Sequence, residues 1–342
     1  MEIKGRSPTA LIVRWLDRVQ SAWRLLGISP IGLLMLAVIG AAPLFIKNDY
    51  ILRLMVVSLM FGTQAMAFDL TIGFINVVNF GFAAFVGLGA YTSGLLAVKL
   101  GLSPWIGLIL GPLVAGLLGF LLGILTLRLR GIYAAIMAWF VGLALMSLVT
   151  VNVEITRGPL GLVVPLFYDR SDQVLDFYII FPIMIGTLVI LRLLTRSHIG
   201  LAFRALGGNL DAARASGINP VKYLVMNFTI SCSLAGLVGV FYAHYFGILT
   251  PAIMHTRSTV EILAIAYIGG RGTLWGGLLA AFLVIPVFEY LRGLLAYRWI
   301  IYGLFLIVTM VFYPGGLVGV VQWIGNLIKR LLSRPGKGPC IS

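Results

Sequence analysis

The sequence predicts an all-α fold: a polytopic transmembrane helical bundle of about ten spans (8–10), with broken helices and both termini cytoplasmic. Three observations lead there. Only 11% of the 342 residues are charged, against about a quarter in soluble chains. Apolar residues make up 60%, and mean hydropathy is +1.05. The charges also leave long neutral stretches between them, and a helix needs about 20 such residues to cross a bilayer. This pattern excludes a soluble enzyme, a disordered chain and a free nucleic-acid binder. Each span must be helical, because lipid offers no partner to a loose backbone amide, and the alternation of a β-barrel is absent.

Residues 1–27 place Leu11, Ile12, Trp15, Val19, Trp23 and Leu26 at helical spacing, with Arg14 and Arg18 one turn apart. That pattern predicts a cytoplasmic amphipathic helix lying in the interface. Arginines interrupt the apolar positions, so it does not read as a signal peptide. A membrane domain follows over 28–328. Its neutral stretches are 25–46, 54–68, 70–98, 100–127, 131–153, 177–191, 223–256, 272–288 and 299–328, and 259–270, holding only Glu261, adds a short crossing. The 177–191 stretch extends to Leu194, because Arg192 at its end can snorkel. A basic tail, 329–342, closes the chain.

Orientation follows from the lysines and arginines. Arg128, Arg130, Arg192, Arg196, Arg204, Arg214, Lys222 and Arg271 fall on one side with both termini, which makes that side cytoplasmic. The net charge of +14 reads as this asymmetry rather than as polyanion binding. Glu154, Asp169, Asp172 and Asp176 gather in a periplasmic loop, 154–176, on the other side.

Two spans carry faces of small residues. Gly107, Gly111, Ala115, Gly119 and Gly123 recur every fourth residue, as do Ser231, Ala235, Gly239 and Ala243. In lipid, helices associate where small residues let backbones approach, so both faces predict close packing. The 70–98 stretch is longer than one crossing needs and holds Gly73, Asn76, Asn79, Gly81, Gly87 and Gly89. It reads as a broken helix, with Asn76 and Asn79 three apart on one face. Those amides, with Thr92, either line a pathway or hydrogen-bond neighbouring helices.

The polar loop 195–222 reads as structure rather than linker. A helical piece over 201–206 meets Gly207 and Gly208, Asn209 can cap a second helix over 210–216, and Gly217 and Pro220 end it. Its small residues Ala212, Ala213 and Ala215 would face the cytosol as a docking surface for another protein.

Chemistry is missing elsewhere. Cys232 and Cys340 form no disulfide framework or zinc spacing, and His198, His244 and His255 are scattered, so no metal site is expected. Gly269-Gly270-Arg271-Gly272-Thr273 lacks the lysine of a phosphate loop and reads as a tight turn. Asp69, Glu261 and Glu289 sit near the expected span ends, where charges reach the interface.

Four stretches together resemble the permease family of ABC importers for branched-chain amino acids, in particular its LivM-type subunits. They are GFINVVNFGFAAFVGLGAYTSGLLA (73–97), RLRGIYAAIMAWF (128–140), TRGPLGLVVP (156–165), and GGRGTLWGGLLAA (269–281) with YPGGLVG (313–319). They occur in the family's order across most of 30–320. The resemblance implies a transport subunit, not an enzyme, in a bacterial inner membrane. It implies a LivH-like homologous permease as heterodimer partner and a soluble substrate-binding protein. Two cytosolic ATPase subunits would bind ATP and Mg, leaving this chain with no cofactor of its own. It further implies that Arg204, Gly207, Gly208, Asn209, Asp211, Ala212, Ala213, Gly217 and Ile218 form the loop that couples to the ATPases. The stretch 205–219 is more similar to ribose-type sugar permeases, and Arg157 and Pro159 depart from the LivM-type pattern. A monosaccharide, urea or an aromatic-derived acid therefore stands as alternative cargo. An ion-coupled secondary transporter is the rival class, but it should carry ionisable residues at mid-span.

Overall fold

The computed structural model describes residues 30–46, 48–126, 129, 131–168, 172–294, 300–301, 303–304, 307 and 315–319. The expected interfacial helix 1–27, the tail 329–342 and most of the last expected span, 299–328, lie outside the described residues. Helices follow one another along the chain: α1 Pro30–Phe45, α2 Asp49–Asp69, α3 Phe82–Leu100, α4 Pro104–Thr126, α5 Ile132–Val151 and the single turn α6 Val153–Thr156. After them come α7 Gln173–Arg196, α8 His198–Gly208, α9 Leu210–Ala215, α10 Pro220–Phe246, α11 Thr256–Gly269 and α12 Trp275–Tyr290. A π turn, Leu70–Phe74, prolongs α2.

Among the described residues six helical stretches are long and apolar enough to cross a membrane: 49–74, α3, α4, α5, α7 and α10. The shorter apolar helices lie at Met35–Phe45 within α1 and at α12. Two sequence expectations change. The second and third spans do not divide at Asp69; the helix runs through it, and the chain breaks over 75–81. A two-residue antiparallel ladder, β1 (Leu162–Val163) with β2 (Ile248–Leu249), also sits among the helices.

Helix α10 is the axis of the bundle, packed against α4, α3 and α2, and α4 packs on α3 as well. The expected small faces explain why. On α4, a Cβ added to Gly119 would press on Cys232 Sγ at 3.0 Å and the Phe228 carbonyl at 3.1 Å, and one on Gly123 would meet the Val225 Cα at 2.8 Å. The opposite stripe of α4, including Ile109, Leu113, Leu117 and Leu121, is exposed, as a lipid-facing surface should be. Size rather than polarity divides the two faces of this helix. On α10, Ser231 donates to the Ala67 carbonyl (2.8 Å) and Asn227 to the Leu70 carbonyl (2.9 Å). Gly239 has no room for a Cβ against the Val86 carbonyl of α3.

At the β-ladder end, buried His244 of α10 ties two elements together. Its Nδ1 lies 2.6 Å from the Pro165 carbonyl and its Nε2 lies 2.7 Å from Ser93 Oγ. A carbonyl can only accept, so Nδ1 carries the proton, and in the neutral ring the Ser93 hydroxyl donates to Nε2.

Candidate functional site

The α8–α9 unit owes its shape to local signals. Ser197 caps α8, its Oγ accepting from Ile199 N–H (3.2 Å). Asn209 Oδ1 accepts from both Asp211 and Ala212 N–H (3.0 Å each), starting α9. Gly217, at φ 83°, ends α9, with Ile218 N–H donating to the Ala213 carbonyl (3.1 Å). Asn219 and Pro220 then start α10. The two glycines do not break α8, as the sequence suggested; the helix includes both, and the break falls at Asn209. Arg204, Gly208, Asn209, Asp211, Ala212, Ala215 and Gly217 are exposed and Ile218 is half-buried. Ala213 is a correction: it is 5% exposed and faces inward.

The inner face of this unit seats on the broken span. At Gly207 a Cβ would collide with the Phe74 carbonyl, and it would lie 3.1 Å from Ile75 backbone atoms. Only glycine allows so close an approach. The Arg204 guanidinium lies 5.3 Å from the Phe74 ring centre. The α11–α12 turn grips the same segment from another side. Asp69, 3% exposed, accepts from Gly272 N–H (2.8 Å) and Leu274 N–H (3.1 Å) through its two oxygens. Its carboxylate is therefore not left exposed, as its place near an expected span end suggested; the turn buries and satisfies it. Arg271 Nη1 donates to Asn76 Oδ1 (3.1 Å). The turn is in addition packed on the closing glycines, since a Cβ on Gly270 would lie against the Gly315 carbonyl. Two stretches far apart in sequence, 269–281 and 315–319, thus meet at one turn.

Beyond Phe74 the chain climbs without helix. Asn76 has φ 57° and is exposed, whereas Asn79 is fully buried. The two do not share a helical face, because neither is in a helix. Asn79 Oδ1 accepts from Gly81 N–H (3.1 Å), and its Nδ2 lies 3.7 Å from Cys232 Sγ. With a rise of 1.5 Å per residue, α10 is about 40 Å long and Cys232 lies about 18 Å along it. The break therefore carries the chain from the α8–α9 end to mid-depth, where α3 starts. Irregular backbone at that depth survives only when protein satisfies it. Thr259 does so from α11, its Oγ1 accepting from Ala83 N–H (3.0 Å). Thr92 lies farther along α3, half-buried and bonded to its own helix through the Leu88 carbonyl (2.7 Å).

Beside this meeting point α2, α3, α10 and α11 enclose a half-open cavity of ≈ 320 Å³. Its polar lining is Gln64, Tyr242, Thr250, Ser258 and Glu261. Sequence reasoning passed over Gln64 and Thr259. A lone amide in the middle of the neutral stretch 54–68 was the available signal for the first. Among the described residues no three His, Cys, Asp or Glu side chains converge as metal ligands.

The family model described as "Branched-chain amino acid transport system / permease component" matches residues 50–313. The chain belongs to this family. Among curated relatives of this permease-family chain, the high-affinity branched-chain amino acid transport system permease protein LivM of Salmonella typhimurium is 29% identical over 85% of this chain and 75% of its own. The probable branched-chain amino acid transport permease protein LivH of Methanocaldococcus jannaschii is 24% identical over 78% of this chain and 91% of its own. The autoinducer 2 import system permease protein LsrC of Yersinia enterocolitica is 31% identical, over 66% of each chain. No solved structure matches the chain. The match covers the broken span, the α8–α9 unit and the glycine turn, so the features that converge at one end of this multi-pass membrane protein all lie within the family domain.

Proposed function

We propose that this chain is one permease half of an ATP-driven importer for amino acids, most of all branched-chain ones, in a bacterial inner membrane. It works with a second, homologous LivH-like permease, two cytosolic ATPases and a soluble binding protein. The α8–α9 end is cytoplasmic, and both termini lie on that side. One observation carries the reading: a helix capped at both ends displays Ala212 and Ala215 outward while its neighbour α8 is locked at Gly207 onto the end of the broken span. ATPases that pull on the outer face would move Phe74, and with it the segment 75–81 that ends at mid-depth. The spans themselves need no chemistry in such a machine, because ATP and Mg are bound by the partners.

The mechanism follows from stiffness. Helices α8 and α9 are short, caps at Ser197 and Asn209 fix their starts and the Gly217 turn closes α9, so a push is transmitted rather than absorbed. The segment 75–81 has few helical hydrogen bonds to lose. It can shift while α10, packed along its length against glycine faces, stays in place. The α11–α12 turn, bonded to Asp69 and Asn76, moves with it.

Co-purification tests the docking role. Ala212→Arg and Ala215→Arg should abolish retention of the ATPases while the chain stays inserted and folded. Retention at the wild-type level in both would contradict it. A sugar cargo is the second reading, favoured by the ribose-type pattern of 205–219 and by the 24% identity to a fructose import permease protein. Uptake of labelled leucine against labelled fructose by the assembled importer decides between them.

A further inference from the structure

We infer that the half-open cavity between α2, α3, α10 and α11 is a binding station for an α-amino acid with an apolar side chain, and that Gln64 is the residue that recognises its polar head. This deepens the proposed import function and rests on it for cargo class.

Gln64 is the observation that points to a ligand. Its side chain is 4% exposed, lines the cavity, and has no hydrogen-bond partner among the described residues. A buried amide left unpaired costs free energy that folding has no reason to spend. The primary amide offers two donors and an acceptor, which suits a carboxylate on one side and an ammonium on the other.

The rest of the wall fits the same class. Ser258, in the first turn of α11, places a hydroxyl on the lining. The positive end of the 14-residue α11 favours an anionic group there. Glu261, one turn on, supplies negative charge to the same wall and favours an ammonium. Phe61, Val86, Phe246 and Ile253 make the remainder apolar. A zwitterion with a hydrocarbon body therefore finds opposite charges at one end and an oily surface at the other. A monosaccharide, with hydroxyls all round, would leave most of them facing Phe61, Val86 and Ile253. The volume of ≈ 320 Å³ lies at the small end of the range of ligand sites, about 300–1,000 Å³, which suits a single amino acid.

Thiol protection tests the station without requiring transport. The full chain carrying Ser258→Cys and Cys340→Ser is placed in nanodiscs and labelled with a maleimide, with L-leucine, with D-fructose, or with neither. Cys232 is fully buried and should not react. Leucine should slow labelling of position 258, and fructose should not. Gln64→Ala, and separately Gln64→Met, which keeps the side-chain length, should weaken leucine protection about ten-fold or more, the loss expected for a hydrogen bond to a charged group. Equal protection in both Gln64 variants would overturn the role of Gln64. Protection by fructose alone, or by neither solute, would overturn the station. Failure here leaves ATPase docking and leucine uptake by the assembled importer untouched, and those measurements judge the proposed function separately.

Discussion

Asp69 offers the sharpest prediction, because its bonds hold together elements two hundred residues apart. Replacing it with alanine removes both acceptors of the Gly272 and Leu274 N–H groups. Each buried donor left unpaired costs about 1–3 kcal/mol, so Asp69→Ala should lose about 2–6 kcal/mol. That is a large share of the ~5–15 kcal/mol that holds a typical domain together. Asp69→Asn keeps one acceptor oxygen and should lose about half as much. Gly73→Ala should resemble the alanine variant, since its Cβ would press on Asp69 Oδ1 and Gly272 N–H. The assay is the fraction of detergent-purified protein that stays monodisperse after a temperature series. Wild-type heat resistance in Asp69→Ala, or an asparagine variant weaker than the alanine one, would refute the reasoning that the carboxylate secures the turn.

Three further outcomes follow from the same contacts. Thr259→Val orphans Ala83 N–H at mid-depth and should lower stability by about 1–3 kcal/mol, with Thr259→Ser near wild type; the same heating series measures both. Gly119→Val forces methyl groups onto Cys232 and Phe228 and should cost about 1–3 kcal/mol through overpacking, whereas Phe120→Val, on the exposed side of α4, should be nearly neutral. Ala213→Arg should reduce the amount of folded protein recovered from membranes, because a buried position cannot take a charge, while Ala212→Arg should leave that amount unchanged.

Much of this was legible in the sequence where the signals are local. Asn209, Gly217 and Pro220 lie within a dozen residues, and each acts on its own backbone, so the α8–α9 unit could be drawn from them almost as it stands. The four-residue recurrence of Gly107 to Gly123 announced a packing face, and the faces pack as spacing required. The misplaced boundary at Asp69 has the opposite cause. A carboxylate reads as a span end unless its partners are known, and its partners are amides at Gly272 and Leu274. The inward turn of Ala213 was equally hidden, for a six-residue helix is too short to show which face is buried. The break over 75–81 was expected from its glycines and asparagines. That it rises to mid-depth depends on Thr259 and Cys232, which no local pattern connects to it. Gln64 escaped notice because a lone amide in a neutral span is more often simply bonded to a neighbour.

The central claim is that the membrane part of this machine is driven from outside the bilayer, through the face carried by α9. Uptake of labelled leucine into proteoliposomes measures it most directly, with the chain reconstituted alone or together with its partner permease, ATPases and binding protein. The account predicts accumulation only in the complete assembly with ATP inside the compartment facing α9, and none when Ala212→Arg is present. Uphill accumulation by the chain alone on a proton or sodium gradient would contradict it.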